Sequence, residues 1–319
     1  MYKQFFGLNR NPFEISPDPR FFYPTPVHNE AWASLVYGVK ARKGVVVVTG
    51  EVGTGKTLLV QGMLRWLQKN QIPFSHIFNP QLSAIEFLQY FSADLGLAIA
   101  DKNKTALLMQ LNQYLIGCYR KGSTAALIVD EGQLLEWDVL EEIRLLTNLE
   151  TAQQKLLQIV LVGQPELERK LDSGHLRQLK QRISLRCRLV PLSEEQVGEY
   201  IARRLGMAGS GWPDLVFPPD AVAVIFQFSK GLPRLINTIC DSALVIAYVR
   251  QIRSITPDII EQVATDARLT GETEPAAPAE KGSSDSNVLK ELLTLIRLLE
   301  KEEHKNRIVQ FVKKNAGGA

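Results

Sequence analysis

Residues 50–57, Gly50-Glu51-Val52-Gly53-Thr54-Gly55-Lys56-Thr57, match the phosphate-binding pattern G-x-x-x-x-G-K-[ST] at every defined position. Four consecutive valines precede the motif and predict a strand over 44–49, and the apolar spacing after it predicts a helix over 57–69. Glycines allow the backbone to turn its N–H groups inward, and a helix N-terminus adds partial positive charge, so this stretch favours a bound anion. The sequence therefore predicts a strand–loop–helix unit that binds the phosphates of a nucleotide.

Two side chains of the motif have expected chemical tasks. Lys56 is expected to reach the β- and γ-phosphates, and the hydroxyl of Thr57 is expected to bind Mg²⁺. The remaining six residues, Gly50 to Gly55, are expected to surround the phosphates with backbone groups. A chance glycine-rich turn is the alternative, and the strand and helix predicted on either side argue against it.

Composition and charge exclude few classes of protein. The chain has 319 residues, 45% of them apolar and 22% charged, with a formal net charge of +3, which is ordinary for a globular protein and neither demands nor excludes nucleic acid. Its cysteines, Cys118, Cys187 and Cys240, lie in apolar segments, so reduced thiols are expected. We find no secretory signal, no apolar run long enough to span a bilayer and no zinc-ligand spacing, so we expect a cytoplasmic location with peripheral membrane contact at most.

An apolar run over 125–129 ends in Asp130 and Glu131, which is the Walker B pattern. Because a buried strand fixes the position of its C-terminal end, we expect Asp130 to hold Mg²⁺, directly or through water. Glu131 is placed to polarise the attacking water as general base. The acidic pair is a weak signal alone and becomes stronger with a phosphate-binding motif upstream. An exposed acidic turn is the alternative.

A polar residue, Gln164, follows another strand that is predicted over 156–162. We expect its side chain to contact the γ-phosphate or to orient the attacking water. A loop-capping amide is the alternative.

The segment 176–188 is rich in arginine and is interpreted as a basic helix, followed by a strand over 187–190. In oligomeric ATPases, an arginine from a neighbouring subunit stabilises charge on the transferred phosphoryl group. Arg182 is the first choice for this role, and Arg177 and Arg186 are the alternatives. A solvated helix face is the plainer interpretation.

From Ser193 onward the pattern predicts only helices, the first of them opened by a capping box with Gln196. Arg234 falls in the first turn of a later helix, where a cation is unfavourable with the helix dipole. Its position therefore indicates an outside anion, and we assign it to the nucleotide phosphates. A surface arginine paired with an acid is the alternative.

The composition divides the chain into five parts: an aromatic and proline-rich N-terminal arm and helix over 1–43, an α/β nucleotide-binding domain over 44–191, a helical lid over 192–269, a flexible linker over 270–287 and a detached amphipathic helix over 288–314. From 288 to 319, seven basic residues oppose four glutamates. We expect this tail to bind a protein partner rather than a membrane surface, and folding back on the body is the alternative.

Taken together, these features resemble the AAA+ ATPases, and more narrowly the ATPase domain of the general secretion pathway protein A (ExeA) type. The resemblance covers about residues 1–268 and is carried by Phe5-Phe6-Gly7-Leu8, Asn11-Pro12-Phe13, Pro17-Asp18-Pro19, His28-Asn29-Glu30-Ala31, the motif at 50–57, Val162-Gly163-Gln164-Pro165-Glu166-Leu167 and Leu192-Ser193. The sequence is also similar to transposition-associated AAA+ ATPases. It departs from the family in having Gly132 where Asp-Glu-Ala-Gln is usual. The longer secretion members continue into a transmembrane segment and a peptidoglycan-binding domain, so we do not expect direct contact with peptidoglycan here.

The resemblance implies a parallel α/β sheet of order 5-1-4-3-2 with a C-terminal helical lid. It also implies a homo-oligomer that binds ATP and Mg²⁺ between subunits and couples hydrolysis to assembly of an envelope or secretion complex. Two other interpretations stay open: a DNA-binding regulator or transposition helper that uses ATP as a polymerisation switch, and a scaffold whose tail recruits an envelope partner. DNA is thus a possible partner and not a required one.

Overall fold

In a computed structural model, which describes residues 2–14, 21–98, 103–267 and 269, five parallel strands form the central sheet. The strands are β1 Val45–Gly50, β2 Phe74–Ile77, β3 Ala125–Val129, β4 Leu157–Gly163 and β5 Ile183–Leu189. Their order is β2-β3-β4-β1-β5, which is the expected 5-1-4-3-2 order read from the other edge. That prediction is confirmed. Because all the strands are parallel, their carboxyl ends meet at one edge of the sheet.

Helices cover both faces of this sheet, since alternate strand residues point to opposite sides. The helices of this part are α2 Pro26–Lys40, α3 Lys56–Lys69, α4 Ala84–Asp94, α5 Lys104–Arg120, α6 Trp137–Leu146, α7 Pro165–Leu171 and α8 Arg177–Lys180, whereas the short α1 Tyr2–Phe5 packs on the lid. On one face, Val46 and Val48 pack in a cluster with apolar residues of α2 and α3. On the other, Val45 and Val47 join α4, α5 and α6.

Helix α2 of the N-terminal region begins at Pro26, within the proline-rich stretch. Pro26 occupies its first turn, and the Thr25 hydroxyl caps it by accepting a hydrogen bond from the backbone N–H of His28. A proline of the N-terminal region thus begins a helix instead of preventing one.

Strand β5 corrects the interpretation of the arginine-rich segment. Helix α8 ends at Lys180, and the chain is already extended from Ile183, so the predicted basic helix over 176–188 is wrong beyond residue 180. Burial alternates along β5, with Arg186 and Arg188 exposed and Leu185 and Cys187 turned inward. The high density of basic residues obscured this period-two pattern, which is typical of an edge strand.

The remaining helices form the lid: α9 Glu194–Met207, α10 Pro213–Val216, α11 Pro219–Ser229, α12 Pro233–Val249 and α13 Pro257–Asp266. The capping box is present, since Ser193 accepts from the Gln196 N–H while the Gln196 side chain accepts from the Ser193 N–H. The short α10 was not predicted. The apolar core of the lid also contains Phe6 and Phe13, so the N-terminal arm lies against the lid.

Two predicted segments, the linker 270–287 and the tail helix 288–314, lie outside the described residues, as does Pro17-Asp18-Pro19. None of the helices in the described part of the chain combines the length and the apolar run that a bilayer crossing requires.

The turn between α11 and α12 yields a stability prediction. Gly231 has φ +74°, its carbonyl accepts a hydrogen bond from the Leu192 N–H, and a Cβ built on it would lie 2.0 Å from the Leu192 carbonyl oxygen. We expect Gly231→Ala to lower the free energy of unfolding by about 2 kcal/mol or more, since it combines left-handed strain with a backbone clash. Urea denaturation of the full chain measures this.

The matched control is Gly206→Ala, because Gly206 lies inside α9 and a Cβ there would meet nothing within 4 Å. We expect this control to change stability by less than about 1 kcal/mol, in the stabilising direction. Equal stability of the two variants would contradict the account of the turn.

Candidate functional site

The loop 50–57 connects β1 to α3 at the carboxyl edge of the sheet. Gly53 and Gly55 have φ values of +84° and +94°, which L side chains rarely adopt. The backbone N–H groups of Gly55, Lys56 and Thr57 donate to no acceptor among the described residues. Unpaired amides at the start of a helix form a cradle for an anion, so the loop fits the phosphates of a nucleotide.

Lys56 is buried within this loop, and its Nζ donates to the carbonyl oxygens of Gly50 at 2.7 Å and Glu51 at 2.9 Å. Burial lowers the pKa of Lys56, and the carboxylates of Glu131 and Asp130 act in the opposite direction. The ammonium group is therefore within electrostatic reach of both acids at the end of β3.

Asp130 and Glu131 follow β3 at the same edge of the sheet. Asp130 is buried, and its Oδ1 accepts from the backbone N–H of Glu131 at 2.9 Å. Burial raises the pKa of Asp130, with a smaller lowering contribution from Lys56. Glu131 has left-handed backbone with φ +52° and is only partly buried. Such a conformation is costly for a non-glycine residue and is concentrated at functional sites.

Gln133 joins the ends of β3 and β4. Its Nε2 donates to Glu131 Oε2 at 2.6 Å, and its Oε1 accepts from the Gln164 N–H at 3.0 Å. A Cβ on Gly163 would lie 2.9 Å from Gln133 Oε1, so glycine at 163 permits this bridge. No role for Gln133 was predicted from the sequence, although its place two residues after the acidic pair was the available signal.

The side chain of Gln164 makes no hydrogen bond to the described residues and does not cap α7. It lines the same cavity as Glu131. The loop-capping alternative therefore has no support in the geometry.

A cavity of about 390 Å³ opens above the loop. It is lined by the N-terminal arm, the loop, the strand tips and the lid, through Glu14, Phe21, Phe22, Tyr23, His28, Val52 to Leu58, Glu131, Gln164, Leu192, Tyr200, Arg204, Pro233, Arg234 and Asn237. This volume lies within the range of small-molecule sites. Most of the predicted site residues, namely Val52 to Thr57, Glu131, Gln164 and Arg234, therefore line one cavity, whereas Gly50, Glu51 and Asp130 do not line it.

Arg234 brings the lid against the loop. A Cβ on Gly53 would lie 2.7 Å from the Arg234 Cβ, and Arg234 lines the cavity. Within the described residues no acid pairs with its guanidinium group. The alternative of a surface arginine held by an ion pair is therefore not supported.

The three candidate arginines do not line this cavity. Arg182 Nη1 donates to Thr147 Oγ1 at 2.8 Å, and Arg186 pairs with Asp172 at 3.4 Å. Arg177 is exposed, and no acid in the described ranges pairs with it. A role for any of them at a phosphate therefore requires a second copy of the chain.

A predicted Mg²⁺ site would use few protein ligands. The described residues contain no group of three or more His, Cys, Asp or Glu side chains that could hold a metal ion. The Thr57 hydroxyl and the Asp130 carboxylate are oxygen donors of the type Mg²⁺ prefers, and Mg²⁺ in nucleotide sites keeps several waters and phosphate ligands. The donor set fits that kind of ion.

His28 is a second residue that the sequence analysis left without a role. It lies in the first turn of α2, and its Nε2 lies 2.9 Å from the Thr54 carbonyl oxygen in the loop. The signal was its place in the motif His28-Asn29-Glu30-Ala31, which was used only to identify a resemblance.

Comparison with known sequences gives one family match and several relatives. The family described as "AAA domain" matches residues 39–171. General secretion pathway protein A of Aeromonas hydrophila is 43% identical over 251 residues, which are 78% of this chain and 45% of that protein. The ATP-dependent target DNA activator B of Escherichia phage Mu is 26% identical over 159 residues, 50% of this chain and 47% of that protein. The chain spans less than half the length of these curated relatives.

Solved structures of other proteins resemble this chain in fold. The chain of a Drosophila ORC structure bound to DNA has a TM-score of 0.58 at 20% identity, with 81% of this chain and 64% of that chain covered. The Aeropyrum pernix ORC2 protein in ADPNP–ADP complexes has a TM-score of 0.55 at 15% identity, with 84% and 73% covered. At such low sequence identity, the similarity shows a shared arrangement of strands and helices.

Proposed function

Because the chain has a P-loop fold of the AAA+ type, with an AAA domain matched over 39–171, we propose that it binds ATP with Mg²⁺ and hydrolyses ATP in the cavity above the loop 50–57. The observation that carries this proposal is the convergence of three elements on that cavity. They are the unpaired amides beside Lys56, the linked residues Glu131 and Gln164, and the lid residue Arg234.

In this proposal the loop amides and Lys56 bind the phosphates, and Lys56 exchanges its two carbonyl acceptors for phosphate oxygens. Thr57 and Asp130 would hold Mg²⁺ through their side-chain oxygens. When bound, Mg²⁺ neutralises charge on the phosphate oxygens.

Glu131 acts as the general base, because it is the partly exposed acid of the pair while Asp130 is buried. Gln133 fixes the Glu131 carboxylate through its 2.6 Å hydrogen bond. Gln164 orients the attacking water from the neighbouring strand tip, and Arg234 contacts the phosphates from the lid.

Glu131→Gln tests the general base. We expect nucleotide affinity within about threefold of wild type and turnover at least tenfold slower, since a single general base contributes about 10²–10⁴ in rate. Phosphate release under saturating ATP and Mg²⁺, with calorimetric ADP binding, measures both quantities.

The matched control is Glu136→Gln, an exposed carboxylate in the same segment that does not line the cavity. Its turnover is expected to equal that of wild type. Near-normal turnover in Glu131→Gln would remove Glu131 from the base role.

We further propose that the nucleotide lies at a subunit boundary in a homo-oligomer and that an arginine of 177–186 acts from the neighbouring subunit. Arg182 is the first candidate on sequence, and its hydrogen bond to Thr147 would hold it in a defined position. Arg177 and Arg186 remain to be compared with it. The support is that all three lie away from the cavity of their own chain.

Mixing inactive variants tests this arrangement. Lys56→Ala subunits mixed with Arg182→Ala subunits should recover part of the ATPase activity, because some boundaries then combine an intact Lys56 with an intact Arg182. Arg177→Ala and Arg186→Ala are tested in the same way. Absence of recovery at every ratio for all three would contradict an arginine that acts in trans.

We propose that hydrolysis drives or regulates assembly of an envelope or secretion complex from a cytoplasmic location, with the 288–314 segment binding a protein partner. This rests on the 43% identity to a general secretion pathway protein. Deletion of 288–319 should then abolish recruitment to that complex and leave ATPase activity intact.

A second candidate function is a DNA-binding regulator or transposition helper, which the match to the phage Mu target DNA activator favours. Fluorescence anisotropy with duplex DNA separates the two. Binding that tightens with ATP and weakens steeply between 50 and 200 mM salt, by ~10³-fold or more for several phosphate contacts, would support the DNA function. No ATP-dependent binding would leave the secretion role as the proposal.

A further inference from the structure

The tautomer of His28 follows from its partners. A backbone carbonyl can only accept, so the Nε2 atom that lies 2.9 Å from the Thr54 oxygen carries the proton and donates it. On the other side of the ring, Nδ1 lies 2.7 Å from the Thr25 hydroxyl. Nδ1 of the neutral ring accepts that hydroxyl proton, while the hydroxyl oxygen accepts from the His28 backbone N–H. Both ring nitrogens are therefore satisfied in the neutral state.

The surroundings hold this arrangement in place. His28 is 5% exposed, and the ring of Phe22 contacts it edge-on at 5.5 Å between centroids. Burial lowers the pKa of His28, with partial opposition from the hydrogen bond to the Thr54 carbonyl. The imidazole is thus a fixed neutral donor aimed at the loop.

One hydrogen bond to the Thr54 carbonyl also orients the next amide. The peptide unit is planar and trans, so the Thr54 C=O and the Gly55 N–H point in opposite directions. When His28 holds the carbonyl on its own side, the N–H of Gly55 must point away from His28. That N–H is one of the amides with no acceptor in the described part of the chain.

Gly55 and His28 also depend on each other sterically. A Cβ on Gly55 would lie 3.0 Å from His28 Nε2, closer than ordinary contact. Glycine at 55 therefore serves two purposes: it adopts φ +94°, and it leaves room for the imidazole.

We propose that His28 is a positioning residue for nucleotide binding: its Nε2–H fixes the Thr54–Gly55 peptide so that the Gly55 amide faces the phosphates. This role rests on the proposed function. It adds His28, a residue of α2 outside the phosphate-binding motif, to the residues that hold the loop in its conformation. The ligand class is the phosphate chain of a nucleoside di- or triphosphate.

Two substitutions of His28 in the full chain test the inference, with ADP and Mg²⁺ as the calorimetric probe. His28→Leu removes the donor, and we expect at least about tenfold weaker ADP binding, the loss typical of one hydrogen bond in a preorganised site. His28→Gln retains an N–H at the reach of Nε2, and we expect affinity within about threefold of wild type.

A purely structural role for His28 predicts a different pattern. Both variants would then lower the unfolding temperature, and the folded protein would bind ADP normally. If His28→Leu does not fold, His28→Asn replaces it, because its shorter amide cannot reach the Thr54 oxygen and should bind as weakly. His175→Gln, an exposed histidine beside Trp137, is the matched control and should bind like wild type.

The outcomes separate the inference from the proposed function. If wild type binds ADP and Lys56→Ala does not, the proposed function stands, and normal affinity in folded His28→Leu or His28→Asn would overturn the role of His28 alone. If wild type does not bind ADP, the proposed function fails and the inference fails with it.

Discussion

The conformation of the loop 50–57 is the constraint on which the rest of the site depends. In the loop 50–57 the N–H groups at the start of α3 have no partner among the described residues, so the loop conformation depends on what surrounds it. Lys56 supports it from within, by donating to two loop carbonyls. His28 supports it from α2, and the first turn of α12 closes on it at Gly53. The site therefore needs the arm and the lid as much as the motif.

The N-terminal arm connects these two supports. Its first helix packs on the lid, where the Tyr2 hydroxyl donates to Asp241 and Phe5 meets Tyr248 edge-on. Further along, the guanidinium group of Arg204 donates to the Pro12 carbonyl and lies over the rings of Phe21 and Tyr200. Three residues after Thr25 the same segment reaches the loop through His28. The N-terminal region of the chain therefore contacts both the lid and the loop 50–57.

The carboxyl edge of the sheet positions the residues around Glu131 in a similar way. Parallel strands place the ends of β1, β3 and β4 side by side, which brings the loop, the acidic pair and Gln164 to one place. Gln133 then ties two of these ends together through a side chain. A displacement of the Glu131 carboxylate is therefore coupled, through Gln133, to a displacement of the carboxyl end of β4.

The sequence by itself determined the strand–loop–helix unit around 50–57, the strand that precedes Asp130 and the helical character of the lid, because each depends on local spacing, apolar runs and capping residues. The prediction of a helix that extends into β5 was wrong, because an edge strand with alternating arginines resembles a basic helix in sequence. Only the tertiary structure decided that Gln133 and His28 contact the site. Their contacts join residues far apart in the chain, such as His28 with Thr54 and Gln133 with Gln164, and no local pattern records a hydrogen bond across such a distance.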